Sequence, residues 1–103
     1  MAELMIYVKE HITDEGIIIA MCDESLIGKM LGEGKVIIDL DTYRDFYKGI
    51  LISPDKYRKR GGKIISANII GKEAVSAAIA SMLIEKEHVK TIKGVPYAHA
   101  YHV

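Results

Sequence analysis

Short runs of apolar residues punctuate the first half of the chain, and these runs predict strands. Residues 4–10 and 17–22 are rich in β-forming side chains, and residues 13–16 between them carry turn chemistry, so the two are expected to pair as a hairpin. The unbroken apolar character of 17–22 indicates burial on both faces and therefore a central place in the sheet. Residues 36–40 predict a third strand, and residues 46–52 a fourth.

Helical spacing is clearest at residues 72–87, where alanines and larger aliphatic residues form one apolar stripe. We expect the longest helix there, and a start as early as Ser66 stays open. Asp23 occupies an N-cap position after the second strand, which predicts a short helix directly behind it. Gly32 and Gly34 are expected to end that short helix.

Two closing strands are predicted near the C-terminus, at residues 89–92 and 97–103. In the second of these, Tyr97, His99 and Tyr101 alternate with alanines, so rings and methyl groups belong to opposite faces. The alanine face is expected to pack under the long helix. The ring face either stacks on nucleic-acid bases or simply covers the sheet.

Strands and helices mix without regular βαβ alternation, which predicts the α+β class. We expect a single domain over residues 1–103, with a small mixed or antiparallel sheet packed by one long helix in the C-terminal half and one or two short helices. Of the 103 residues, 50% are hydrophobic and 27% are charged, which excludes a disordered chain. No apolar stretch is long enough to span a membrane, and the single cysteine forms no internal disulfide, so a cytoplasmic protein is expected.

The pair of Cys22 and Asp23 at a strand end suggests a reactive thiol, because a helix N-terminus stabilises a thiolate. The alternative is a small buried residue that ends a strand and is followed by a capping carboxylate. Polar residues beside glycines allow the backbone to approach a ligand. A small enzyme or ligand pocket is therefore the second function kept for this chain, with Cys22, Asp23, Lys29, Asn68 and Pro96 as its residues.

Two further kinds of site fail on spacing. The Gly-Lys pairs at residues 28–29 and 71–72 lack both the earlier glycine and the following hydroxyl of a phosphate loop. His99 and His102 lie three apart in a predicted strand, so their side chains point to opposite faces and do not converge on one metal ion. We expect no metal, no cofactor and no catalytic residue.

Charge is distributed unevenly, although the formal net charge is zero. Residues 1–43 hold three Lys/Arg against nine Asp/Glu, whereas residues 44–63 hold seven against two. Cations neutralise phosphates and aromatic rings stack on unpaired bases, so the second segment predicts RNA contact. The predicted RNA-binding residues are Arg44, Lys48, Arg58, Lys59, Arg60 and Lys63, with Tyr47 and Tyr57 stacking on bases. The alternative is a solvated charged face whose tyrosines pack inward.

Four motifs give the chain a family resemblance. They are IYVKEH at residues 6–11, CDESLIGK at 22–29, ANIIGKEAV at 67–75 and IKGVPYAH at 92–99. In this order they resemble the archaeal family known as domain of unknown function 424. The resemblance implies a small archaeal cytoplasmic protein and supplies no activity, cofactor or catalytic residue. In place of an acidic helical segment common in that family, this chain carries the basic stretch 57–63.

From the residues themselves we expect a non-enzymatic binding module that contacts RNA or a ribonucleoprotein through the basic, tyrosine-bearing segment. The oligomeric state stays open at this point.

Overall fold

Eight strands and two helices make up the structure, a computed structural model that describes residues 4–101. The strands are β1 (Ile6–Thr13), β2 (Gly16–Asp23), β3 (Met30–Glu33), β4 (Val36–Asp39), β5 (Ile50–Ile52), β6 (Ile64–Ile70), β7 (Val89–Ile92) and β8 (Val95–Tyr101). The helices are α1 (Arg44–Tyr47) and α2 (Lys72–Ala80), and 3-10 turns occupy Glu24–Leu26, Pro54–Lys56 and Lys86–His88.

Six strands form one mixed sheet in the order β5-β1-β2-β6-β8-β7, and β3 pairs with β4 alone. Every neighbouring pair is antiparallel except β2 and β6, which run parallel. The predicted hairpin of the first two strands is confirmed, with Ile12 opposite Ile17 near its turn. The apolar strand β2 lies between β1 and β6, as its composition predicts. The α+β class is confirmed, although sheet outweighs helix.

One face of the sheet packs against α2. Ala74, Ala77 and Ala78 of the helix are buried there, and Ala98 and Ala100 of β8 are buried opposite them. Small side chains on both partners allow a helix to approach a sheet closely, and larger ones would overpack the contact. The expectation that the alanine face of the last strand lies under the long helix is therefore confirmed.

The opposite face of the sheet is covered only in part, by the β3–β4 hairpin and by α1. Cys22, Leu40 and Ile70 are fully buried between the sheet and these elements, and Tyr47 and Tyr97 pack against them. A two-stranded hairpin is marginal by itself, so this apolar contact is what holds β3 and β4 in place. Both faces of the central strands therefore carry a core.

The prediction of a short helix after Asp23 is wrong. A single 3-10 turn follows Asp23, and the chain then enters the β3–β4 hairpin. Gly32 lies inside β3, and Gly34, at φ +60°, forms the hairpin turn. Residues 30–33 pair with residues 36–39 in a hairpin, and this pairing prevails over the helix that the capping position of Asp23 predicts.

The predicted strand at residues 46–52 is correct only in its second half. Phe46 and Tyr47 belong to α1, and the strand β5 begins after Gly49. At Gly49 the chain runs so close to β1 that a Cβ atom would overlap the Val8 carbonyl and the Lys9 backbone. This contact requires glycine and separates the helical turn from the strand.

The long helix begins at Lys72 but ends at Ala80, well before residue 87. The earlier start near Ser66 is wrong, because Ser66 belongs to β6. That parallel strand escaped the sequence analysis because its mixture of small and aliphatic residues runs directly into the helix pattern. The last two predicted strands are confirmed as far as Tyr101, and residues 102–103 lie outside the described residues. Among residues 4–101, no helix has the length and apolarity that a membrane crossing requires.

Candidate RNA-binding surface

A turn anchored by Asp39 directs the chain from the hairpin into α1. The Oδ1 atom of Asp39 accepts hydrogen bonds from the backbone N–H groups of Asp41 (3.1 Å) and Thr42 (2.9 Å). The Thr42 hydroxyl donates to Oδ2 (2.8 Å). The bonds from Thr42 lower the pKa of the Asp39 carboxyl, because they stabilise its ionised form. Aspartate at the start of this turn thus sets where α1 begins.

A groove of about 620 Å³ lies between the hairpin and α1. We call it the aromatic groove, and its lining residues are Ile37, Ile38, Asp39, Tyr43, Phe46 and Tyr47. Tyr43 is 62% exposed, and Ile37 is 67% exposed. Such exposed apolar surface in a concave site is typical of a ligand-binding surface.

Phe46 is fixed at the groove by ring contacts. Its ring stacks on His11 of β1 with a centroid distance of 4.5 Å and an interplanar angle of 12°. The His11 Nε2 atom is also 2.8 Å from the Phe46 carbonyl oxygen. Tyr47 meets Phe46 edge to face at 5.1 Å. These contacts hold the aromatic side chains in position before any ligand arrives.

A smaller pocket of about 150 Å³ lies next to the groove. Ile38 and Tyr47 line both cavities, so the two share a wall. We call this second cavity the Asn68 pocket, and its side chains from the uncovered face of the sheet are Asn68, Tyr97 and His99. Burial raises the pKa of Tyr47 to about 12, so its hydroxyl stays protonated at neutral pH.

Part of the predicted RNA-binding set lies beside this groove. Arg44 and Tyr47 are the ends of α1, and Lys48 follows directly. Arg44 forms an exposed ion pair with Asp41, which contributes little to stability. The Lys48 side chain is exposed and makes no hydrogen bond within residues 4–101. The Lys48 ammonium is therefore open to a phosphate, whereas the Arg44 guanidinium is held by Asp41.

The remaining cations lie on the connection before β6. We call residues 58–63 the basic loop. Arg58 donates to the carbonyl oxygens of Asp55 and Tyr57, both at 2.8 Å. Arg60 forms an ion pair of 2.9 Å with Glu10 on β1. The side chains of Lys59 and Lys63 are exposed and make no hydrogen bond in the described part of the chain.

Tyr57 does not present its ring to solvent. It is 6% exposed and belongs to the core beneath α2. Burial raises the pKa of Tyr57 to about 12. Stacking of this ring on a base would require it to leave the core, so the predicted role of Tyr57 is a poor fit to its position.

Cys22 is placed as a structural residue. It is fully buried, and burial raises the pKa of its thiol to about 12, with a further contribution from the neighbouring Asp23 carboxylate. The Sγ atom donates weakly to the Asp23 carbonyl oxygen at 3.3 Å. A reactive cysteine needs a lowered pKa and access to solvent, and Cys22 has neither.

Asp23 caps a helix, but the helix is α2 rather than the one that follows it in sequence. Its Oδ1 atom accepts from the Ala74 N–H at 2.7 Å, and Oδ2 accepts from the Glu73 N–H at 3.2 Å. Its own 3-10 turn receives no side-chain bond. A Cβ atom at Gly71 would overlap the carboxylate, so glycine is required beside it. The carboxylate is thus committed to structure.

The five residues of the alternative pocket are not gathered at one cavity. Asp23 and Pro96 line a shallow depression of about 180 Å³, whereas Asn68 lines the pocket beside Tyr47. Cys22 is sealed in the core, and Lys29 lines neither cavity. Because reacting groups need mutual hydrogen-bond reach, this set does not form a catalytic centre.

The potential metal ligands of residues 4–101 do not cluster. Within residues 4–101, no group of three or more His, Cys, Asp or Glu side chains is placed to hold an ion. His99 contacts the Tyr101 ring at 4.7 Å, and His102 lies outside the described residues.

The mixed sheet carries α2 on one face and the β3–β4 hairpin with its groove on the other. This arrangement is a small α+β domain. The chain belongs to the family described as proteins of unknown function, DUF424, whose sequence profile matches residues 10–103. The family resemblance carried by the four motifs is therefore confirmed.

A similar fold is known from an archaeon. The crystal structure of an uncharacterized conserved protein from Methanopyrus kandleri superposes with a TM-score of 0.75 at 22% sequence identity, over 94% of this chain and 90% of that chain. No curated protein matches the chain. The similarity at this identity concerns the fold, so function has to be argued from the surface.

Proposed function

We propose that this protein is a non-enzymatic module that binds single-stranded RNA, with unpaired bases in the aromatic groove and phosphates on the basic residues around it. The observation that carries the proposal is the placement of rings and cations on one helical turn. Tyr43, Phe46 and Tyr47 line the groove, and Arg44 and Lys48 are their neighbours in the chain. Aromatic platforms flanked by cations are the usual means of binding unpaired nucleotides.

A track of cations supports the path of the RNA backbone. Beyond α1, a depression of about 560 Å³ at the β1–β5 edge is lined by Lys9, Lys56 and Arg58, together with Glu10. Gly49, directly after Lys48, lines the same depression. The depression lies on the α2 side of the sheet, since Val8 and Tyr57 belong to that core, so phosphates leaving the groove would reach it by passing around the β1–β5 edge. Coulomb attraction and counterion release favour them there.

The shape of the groove favours single strands over duplexes. Apart from Asp39, its walls are aliphatic and aromatic, and they favour a base with an accessible ring face. In a duplex those faces are stacked on neighbouring base pairs and are hidden from a protein. We therefore expect preference for loops, bulges and single-stranded ends.

The groove is tested by truncating its most exposed ring. Fluorescence anisotropy at low salt would measure binding of a labelled single-stranded RNA of about twelve nucleotides, a length within the range of known single-strand sites. Tyr43→Ala is expected to weaken binding at least about fivefold, since one stacked base contributes about 1–3 kcal/mol. Met82→Ala removes a side chain that is 82% exposed and lies outside the groove, so it should leave binding unchanged.

The basic loop is tested by a triple substitution with a charge-matched control. Arg58, Lys59 and Arg60 are replaced by Ala in one variant, and Lys86, Lys90 and Lys93, near the β7 edge, in the other. The first variant should lose RNA affinity much more than the second. Absence of RNA binding by the unaltered protein, or equal loss in both variants, would contradict the proposal.

A further inference from the structure

Asn68 is a polar residue at the middle of the sheet whose side chain has no evident structural task. It lies on β6, opposite Ala20 of β2 and His99 of β8. Its neighbours in β6, Ala67 and Ile69, face α2, so the Asn68 side chain belongs to the other face. It is half-buried, and its amide makes no hydrogen bond among the described residues. Because the residue is only half-buried, its amide is open to water or to a ligand that enters from the sheet face.

The surroundings of this amide have the character of a base-binding site. Tyr47, Tyr97 and His99 supply ring surfaces, and Ile38 supplies an apolar wall. Tyr47 is also a wall of the aromatic groove, so the two cavities are adjacent and neighbouring nucleotides of one strand could occupy both. Ring walls with one amide between them provide stacking and directional hydrogen bonding together.

We infer that the Asn68 pocket receives one unpaired base of the bound RNA and that the Asn68 amide reads the hydrogen-bonding edge of that base, with adenine preferred. The inference rests on the proposed function and specifies its ligand. An asparagine amide offers one acceptor and donors side by side, which matches the N6 donor and adjacent ring-nitrogen acceptor of adenine. Unpaired cytosine offers a similar pair at N4 and N3, so the preference for adenine rests on stacking, because a purine covers more ring surface than a pyrimidine.

Nucleotide titrations followed by NMR test the pocket apart from RNA binding. AMP, UMP and CMP are added to ¹⁵N-labelled protein while the side-chain amide signals of Asn68 are observed. We expect AMP to shift these signals, with UMP and CMP at least about fivefold weaker, because a pyrimidine covers less of the ring walls when it stacks. Ribose 5-phosphate, which lacks a base, should leave them unshifted. Unshifted signals with AMP, or equal shifts with ribose 5-phosphate, would overturn the inference.

Two variants separate recognition from folding. Asn68→Asp keeps the size of the side chain and removes its donors, and Asn68→Ala removes the amide altogether; both are expected to lose at least about fivefold in AMP affinity. Ser76→Ala, on the exposed side of α2, is the matched control and should bind AMP normally. Urea unfolding verifies that each variant is folded. Unchanged AMP affinity in folded Asn68→Asp and Asn68→Ala variants would also overturn the inference.

The outcomes distinguish this inference from the proposed function. RNA binding that is lost in Tyr43→Ala but unaffected by either Asn68 substitution would overturn the base-reading role while supporting the groove. An AMP-dependent shift at Asn68 in a protein that does not bind RNA would support the base pocket and overturn RNA as its ligand.

Discussion

At the scale of single residues, Asp23 shows how one side chain connects distant parts of the chain. It ends β2 and caps α2 about fifty residues later, and Gly71 leaves the space for its carboxylate. Asp23 is 8% exposed, and burial raises the pKa of its carboxyl despite the opposing hydrogen bonds from Ala74 and Glu73. The carboxyl group of Asp23 therefore positions the start of α2, although burial disfavours its ionised form.

Removing this cap should destabilise the protein. Asp23→Ala leaves the N–H groups of Glu73 and Ala74 without an acceptor, so we expect a loss of about 1–2 kcal/mol in the free energy of unfolding. Urea denaturation measures it. Glu24→Ala is a suitable control, because Glu24 is exposed and its side chain makes no hydrogen bond within residues 4–101. Equal stability of the two variants would contradict the capping role.

The same residue predicts a pH dependence. A carboxyl whose folded-state pKa is raised binds its proton more readily when folded, so its contribution to stability falls as pH rises between the unfolded and folded pKa values. Asp23→Asn removes this titration and keeps an acceptor oxygen. The stability of Asp23→Asn relative to the unaltered protein should therefore increase from about pH 4, near the ordinary aspartate value, toward neutrality. A pH-independent difference in urea unfolding would contradict it.

Cys22 predicts an unreactive thiol. Because the side chain is fully buried and its pKa is raised to about 12, Ellman's reagent at pH 8 should leave the native protein unlabelled. In denaturing urea, one thiol per chain should react, since Cys22 is the only cysteine. Rapid labelling of the native protein at full stoichiometry would contradict the buried placement.

At the scale of elements, the hydrogen bonds at the end of α2 explain why the helix stops at Ala80, although the apolar stripe extends toward residue 87. The Leu83 N–H bonds to the Ala78 carbonyl at 2.9 Å, and the Met82 N–H bonds to the Ile79 carbonyl at 3.0 Å. This pair of bonds is a Schellman motif, and it places Met82 in the left-handed region at φ +65°. Leu83 and Ile84 then turn into the core, so burial of two aliphatic side chains outweighs continued helix.

Glycine at position 82 should give a more stable protein than methionine does. Met82→Gly relieves the steric cost of the left-handed conformation, and Met82 is so exposed that little packing is lost, so we expect a gain of about 0.5–1 kcal/mol. Ser76→Gly, in the exposed interior of α2, should instead lose about 0.5–1 kcal/mol. Thermal or urea unfolding of both variants gives the opposite signs directly. Destabilisation by both would contradict the role of Met82 as helix terminator.

At the scale of the whole molecule, the two charge blocks that are separate in sequence meet in part in the fold. The cations of residues 44–63 lie at α1, at the β1–β5 edge and on the basic loop, while the acidic excess belongs to residues 1–43. Glu10 meets Arg60, so part of the two blocks is neutralised internally. A molecule with zero net charge has little long-range attraction for RNA, and its affinity must come from local contacts.

RNA affinity should consequently show a modest salt dependence. Each phosphate contact on a single strand contributes about 0.7 to the slope of log affinity against log salt. Replacing Arg58, Lys59 and Arg60 by Ala should lower that slope by about 2 if all three contact phosphates. Anisotropy titrations between 50 and 300 mM KCl, a range chosen to span strong and weak screening, measure the change. An unaltered slope would show that the basic loop does not contact RNA phosphates.

The sequence predicted those features that depend on neighbours along the chain. The β1–β2 hairpin, the start of α2 and the small face of β8 follow from periodicity and turn residues, which act over a few positions. The strand predicted at residues 36–40 is confirmed by β4, but β3 and β6 did not emerge. The capping pattern at Asp23 favoured a helix over β3, and β6 pairs with strands that lie far away in the chain. Of the candidate site, Arg44, Tyr47 and Lys48 were found from composition.

By itself, the sequence determined the class of fold, the family, the central position of β2 and the presence of one basic, aromatic segment. Only the tertiary structure decided which of its rings face outward: Tyr43 lines a groove, whereas Tyr57 is buried beneath α2. It also sealed Cys22 in the core and placed Asn68 beside Tyr47 in a pocket that Cys22 does not line. The physical reason is that burial and cavities are made by contacts between elements distant in the chain, and local residue pattern does not encode those distances.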